Sequence, residues 1–147
     1  MKVIILNDNN NIINILNGID GGKERKCILT DDNIERLSPI IRLAHNLELE
    51  NKQVYIQVKF DSVYSPRPKR LEIVSVDEGT VDIYKFSRKS SFEKECIELQ
   101  RVIDELRGTS NHTLRGYVVL SIKNEDVKPI TERIAEISTD ISIHIVQ

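Results

Sequence analysis

Cysteine is scarce in this chain: two residues in 147, Cys27 and Cys96, with neither in a C-x-x-C pair. That excludes a disulfide framework and the common paired-thiolate metal motifs. Cys96 falls on the apolar stripe of an expected helix, where a free thiol acts as a small hydrophobe. Long apolar runs are also missing. A bilayer crossing takes roughly 20 apolar residues, whereas MKVIILNDNN offers only Val3 to Leu6 before asparagine and aspartate intervene. That run is too short for the core of a secretory signal, and no small-residue cleavage site follows it. A cytoplasmic protein with no membrane partner is the expectation. Excess charge of either sign is lacking too, since 21 Lys and Arg face 23 Asp and Glu for a net charge of −2. General nucleic-acid binders carry a strong basic excess, so only a local basic face stays open.

What remains is an ordinary globular composition, 39% hydrophobic and 30% charged. A chain of this length buries roughly 68–70% of its unfolded surface as one domain, and a single α+β domain over 1–147 is expected. No repeat or heptad stands out. Residues 2–6 read as a strand, 7–11 as an Asn-rich turn, and 12–16 as the hairpin partner. Gly18, Gly21 and Gly22 mark a mobile loop in 17–30. A helix is expected over 31–50, capped by Thr30, Asp31 or Asp32, with Ile34, Leu37, Ile41, Ala44 and Leu47 on one face. Pro39 predicts a kink or break near Ser38.

Alternation of Val54, Ile56, Val58 and Phe60 with polar residues predicts a half-buried strand. Strands over 71–77 and 80–87 follow, joined at Glu78-Gly79, where glycine would supply the positive φ of a tight turn. Residues 91–107 read as a helix with Phe92, Cys96, Leu99, Val102 or Ile103, and Leu106 buried. Ser90 with Glu93 has capping-box spacing, and Gly108 is a C-terminal stop. The apolar run Tyr117–Ile122 suits a central strand. A last helix carries Val127, Ile130, Ile134 and Ile137 with Pro129 in its first turn, and ISIHIV closes the chain as a strand.

The expected order is ββ-α-βββ-α-β-α-β, a mainly antiparallel sheet with three helices, the last β-α-β adding a parallel pair. The order of the first seven elements is similar to that of longin and profilin-like domains, without a shared motif. Fold likeness of this kind implies nothing about activity.

Catalytic and cofactor signatures fail one by one. NGIDGGKE at 17–24 has Asn17 and Glu24 where a phosphate-binding P-loop needs glycine and a magnesium-ligating hydroxyl. His45, His112 and His144 lie in three different elements, none at metal-ligand spacing from Cys or carboxylate. His144 falls on the face opposite Ile141, Ile143 and Ile145. The loop GTSNHTLRG at 108–116 gathers Ser110, His112 and Arg115 before a strand, the one place where a hydrolytic centre could hide. No catalytic residue, metal or cofactor is assigned.

One cluster invites a site. SPRPKR at 65–70 is the densest basic stretch. A hairpin closed at 78–79 would place Arg70 opposite Ser87 and Lys69 opposite Arg88. Arg67, Lys69 and Arg70 would then gather with Arg88 and Lys89 beside Ser90 and Ser91, at the start of a helix whose N-terminus favours anions. Glu93 and Glu95 in the first turn oppose that reading. So does the alternative role of such residues, keeping a strand edge soluble. Three functions follow from this. The leading one is a small non-enzymatic binding or regulatory domain acting through a protein partner or self-association. The second is an anion or nucleic-acid binding module using the seven residues above. The third is a hydrolase or nuclease centred on His112.

Overall fold

Where the pattern NIINIL suggested a strand, the chain forms a short helix, α1 (Ile12–Leu16). Ile12, Ile15 and Leu16 are its buried residues, which is helical spacing, whereas a strand would have buried 12, 14 and 16. Asn11 caps it, its side-chain oxygen accepting from the Ile13 N–H at 2.9 Å. The computed structural model describes residues 2–8, 11–18, 23–29 and 34–146, with side chains described for 11–18 and 39–146. The chain divides into two compact units, Met1–Glu78 and Gly79–Gln147.

In the first unit, β1 (Lys2–Asp8) pairs antiparallel with β2 (Lys23–Leu29), Lys2 opposite Leu29 and Asp8 opposite Lys23. The second strand is thus KERKCIL, inside the segment expected to be a loop. Gly21, Gly22 and the proposed caps Thr30, Asp31 and Asp32 lie outside the described residues. Helix α2 (Ile34–Leu49) is continuous through Pro39, so of the expected kink or break the break is absent. Pro39 is its sixth residue, and the one N–H it lacks is the donor that would have met the Glu35 carbonyl. Ile41, Leu43, Ala44 and Leu47 are buried, and His45 is exposed. The helix ends on Asn51 at φ 62, with the Lys52 N–H reaching back to the Leu47 carbonyl at 3.3 Å. That is the left-handed stop for which asparagine is suited.

The helix packs on β3 (Gln53–Phe60) and β4 (Lys69–Asp77). These strands pair antiparallel, Val54 with Ser75, Val58 with Leu71 and Phe60 with Lys69. Val54, Val58 and Phe60 are buried as the alternation predicted, with Ile56 half-buried, and on β4 Leu71, Ile73 and Val74 are buried. Eight residues, 61–68, connect the two strands.

The second unit is built differently. Its strands β5 (Thr80–Phe86), β6 (Thr113–Leu120) and β7 (Ile141–Ile145) are parallel throughout, with β6 in the middle. Helices α3 (Phe92–Arg107) and α4 (Asn124–Ile137) make the crossovers and pack on the sheet and on each other. The expectation of a mainly antiparallel sheet with three helices therefore gives way to an α+β fold of mixed strand sense with four α-helices among the described residues. Inserting α1 between the first two strands interrupts the longin-like order.

Gly116 explains how closely α3 sits. A Cβ there would lie 2.9 Å from Leu99 Cδ2 and 3.0 Å from both Ile103 Cδ1 and Ile141 Cγ1. Cys96, Leu99, Val102, Ile103 and Leu106 are all buried on α3, and burial pushes the Cys96 thiol pKa upward.

Several local expectations change with the backbone in view. Lys89–Ser91 forms a 3-10 turn and Ser91, not Ser90, precedes α3, with no side-chain cap bond. Gly108 ends the helix at φ −78, so its freedom from a side chain is not used. Pro129 lies in the second turn of α4, not the first. At the turn after β4 it is Glu78, at φ 54, that takes the left-handed conformation.

Candidate functional site

The β3–β4 loop carries the basic cluster, and the hairpin explains how it is displayed. Lys59 stands directly opposite Arg70, and Phe60 opposite Lys69. Residues that face each other across a ladder share a side of the sheet, so Lys59 shares a face with Arg70, while Lys69, opposite buried Phe60, lies on the other face. Arg67 and Arg70 are exposed and Lys69 is half-buried. Among the described residues none forms an ion pair with Lys59, Arg67, Lys69 or Arg70. Asp61 is the only carboxylate between residues 59 and 70, and the Asn11 amide donates to it at 3.4 Å.

At the tip sit two large apolar side chains in open water: Val63 is 85% and Tyr64 87% exposed. The tip holds its own backbone. The Tyr64 N–H donates to Ser62 Oγ at 3.1 Å, the Ser65 N–H to the Ser62 carbonyl at 3.4 Å, and the Ser65 hydroxyl to the Arg67 carbonyl at 3.2 Å. Pro66 and Pro68 have no N–H to satisfy. Composition could have suggested Val63 and Tyr64 as tip residues, but Lys59 needed the β3–β4 register.

The other half of the expected patch, Arg88 to Ser91, lies in the second unit, at the carboxyl edge of its parallel strands. Arg88, Lys89 and Ser90 are exposed and Ser91 is half-buried. Two of these groups are already engaged. Lys89 Nζ pairs with Asp126 Oδ1 at 3.0 Å, and Ser91 Oγ lies 3.4 Å from Ser87 Oγ. Of the first-turn carboxylates, Glu93 pairs with Arg133 at 3.2 Å and Glu95 lies 4.0 Å from Lys85. A groove of about 700 Å³ runs along the start of α3, lined by Ser90, Ser91, Phe92, Ile97 and charges of both signs, among them Glu98 and Arg101. The two halves belong to different units, and their convergence stays an expectation from the hairpin register.

The His112 loop sits at the amino end of β6, whereas sites in parallel sheets form outside the carboxyl ends of strands. Ser110 Oγ accepts from the His112 N–H at 3.0 Å and lies 2.5 Å from Nδ1. This is a local turn closed on itself, and among the described residues no carboxylate bonds the imidazole. Arg115 has a structural role instead. Its Nε and a terminal nitrogen meet both Asp82 oxygens at 2.7 and 2.9 Å, with the Asp82 side chain 5% and that of Arg115 50% exposed. That hydrogen-bonded carboxylate holds the guanidinium pKa above its ordinary value.

Beside the pair, Tyr84 and Tyr117 stack at 4.8 Å, and His144 meets both edge-on. The tyrosine faces turn toward one another, so they offer no open platform for a base. Among the described residues no group of three or more His, Cys, Asp or Glu is placed to hold a metal ion, and no helix is long and apolar enough to cross a membrane. No family model matches the chain, and no curated protein matches it.

Proposed function

We propose that this chain is a non-enzymatic binding module whose contact element is the β3–β4 loop, and that the partner presents an anionic surface. The observation that carries this reading is the opposition of Lys59 and Arg70 across the hairpin, with Arg67 in the adjoining loop, Lys69 on the other face of the same strand end, and no neutralising partner among the described residues. Like charges directly opposite in a ladder are destabilising, by up to about 1 kcal/mol. An anion seated over them removes that repulsion, so affinity gains what the free protein loses. The prolines add to this by restricting the loop before binding, which lowers the ordering cost.

Compared with the sequence expectation of protein association, this reading keeps binding over catalysis and adds a sign to the partner. It moves the weight of the seven-residue patch onto Arg67, Lys69 and Arg70, with Lys59 added. Affinity for a fluorescent heparin oligosaccharide, measured at low and physiological salt, tests it. Neutralising Arg67, Lys69 and Arg70 to glutamine together should weaken binding about a hundredfold at low salt, and wild-type affinity should fall as salt rises. Binding that ignores both salt and the triple substitution would refute the proposal.

A further inference from the structure

Resting on that reading, we infer that the anionic surface taken by the loop is that of a lipid bilayer, with Val63 and Tyr64 entering the interface and the cations meeting headgroups. The expectation of no membrane partner came from the lack of a spanning segment, which leaves surface docking untouched. The order of residues along the hairpin carries the inference. Its outermost stretch, 63–68, contains Val63, Tyr64, Pro66, Arg67 and Pro68, and behind it at the strand ends lie Lys59, Lys69 and Arg70. An apolar tip with Arg67 in it and three further cations at the strand ends behind it suits a bilayer surface, where aromatic residues sit at headgroup depth and Lys and Arg reach phosphates.

The backbone of the tip fits the same environment. Where water is scarce, an N–H without an acceptor is heavily penalised. Tyr64 and Ser65 direct their N–H groups to Ser62, and Pro66 and Pro68 have none. Nucleic-acid phosphates are commonly gripped by free backbone N–H groups and stacked aromatics. In the eight residues 61–68, Tyr64 and Ser65 have spent their N–H groups and Pro66 and Pro68 have none, and the loop carries a single aromatic, beside an aliphatic residue equally exposed. A convex apolar tip also suits a bilayer interface, which deforms around it without a preformed pocket.

The chain contains no tryptophan, so Tyr64→Trp installs a sole reporter at the tip. With vesicles of phosphatidylcholine and phosphatidylserine, its emission should shift to the blue and be quenched by lipids brominated high on the acyl chain. Vesicles of phosphatidylcholine alone should give much less. Each basic residue near an anionic surface contributes about fivefold, so the Arg67, Lys69, Arg70 glutamine triple should lower co-sedimentation about a hundredfold. Val63→Ser with Tyr64→Ser removes the apolar tip without changing its charge, and should abolish co-sedimentation while leaving heparin binding intact, which also confirms that this variant is folded. Heparin binding without vesicle binding, no shift of the reporter, or preference for a single-stranded oligonucleotide over vesicles would each overturn the lipid assignment while the loop reading stands. Loss of both ligands by wild-type protein would take down that reading as well.

Discussion

Two basic stretches, SPRPKR at 65–70 and SRKSS at 87–91, look alike in the sequence and end up in different circumstances. In the second unit the charge is answered in part within the fold, Lys89 by Asp126, Glu93 by Arg133 and buried Asp82 by Arg115, while Arg88 is exposed with no ion pair among the described residues. In the first unit Lys59 and Arg70 face each other with nothing between them among the described residues. Charge density along a chain therefore says little about availability. Availability depends on what the fold has already placed against each cation, and the unanswered cluster is where a partner has something to gain.

Breaking an answered pair should cost stability, and the largest effect is expected at Arg115. Arg115→Met strands the Asp82 carboxylate at 5% exposure. Removing one partner of a buried pair is strongly destabilising, and with Arg115 itself half-exposed a loss of about 2 kcal/mol is expected in urea unfolding. Adding Asp82→Asn should restore most of it. An undiminished stability in the single variant would mean that the pair is as idle as a surface bridge.

Gly116→Ala tests the packing beneath that pair. The added methyl meets Leu99, Ile103 and Ile141 at about the contact limit, so a loss of about 1–2 kcal/mol is expected from overpacking. A neutral result would show that α3 has slack.

Asp140 gives the comparison a pH axis. Hydrogen bonds from Gln100, and then Arg107, hold its carboxyl below the ordinary value of 3.8. A depressed carboxylate stabilises the fold fully above its unfolded value, and that stability is lost as pH falls through the lower folded value. Asp140→Asn should therefore lower stability at neutral pH and flatten the acid limb of the stability curve. The acid unfolding profile checks both. The smallest effect is expected where charge is unanswered: Lys59→Gln should raise stability by a few tenths of a kcal/mol by relieving Arg70.

Much of the fold could be read before it was seen, for reasons tied to particular residues. Val54, Val58 and Phe60 alternate cleanly, and Cys96, Leu99, Val102, Ile103 and Leu106 hold helical spacing. The strand at 23–29 could not be read because KERKCIL alternates at no period, its pairing being written in the backbone. The helix at 12–16 was legible in its 12, 15, 16 spacing and Asn11 cap, but a run of isoleucines looks like a strand first. Of the site, Arg67, Lys69 and Arg70 were visible and Lys59 was not, since a cross-strand neighbour exists only once the register is known. The weight given to Arg88 through Ser91 was a charge count made before Asp126 could be placed against Lys89.

Hydrogen exchange, measured with and without saturating heparin oligosaccharide, tests the central claim most directly because it reads both basic stretches in one experiment. Added protection is expected in peptides covering 59–70, with those covering 87–91 unchanged. Protection confined to 87–91, with the β3–β4 loop exchanging as in the free protein, would contradict the account.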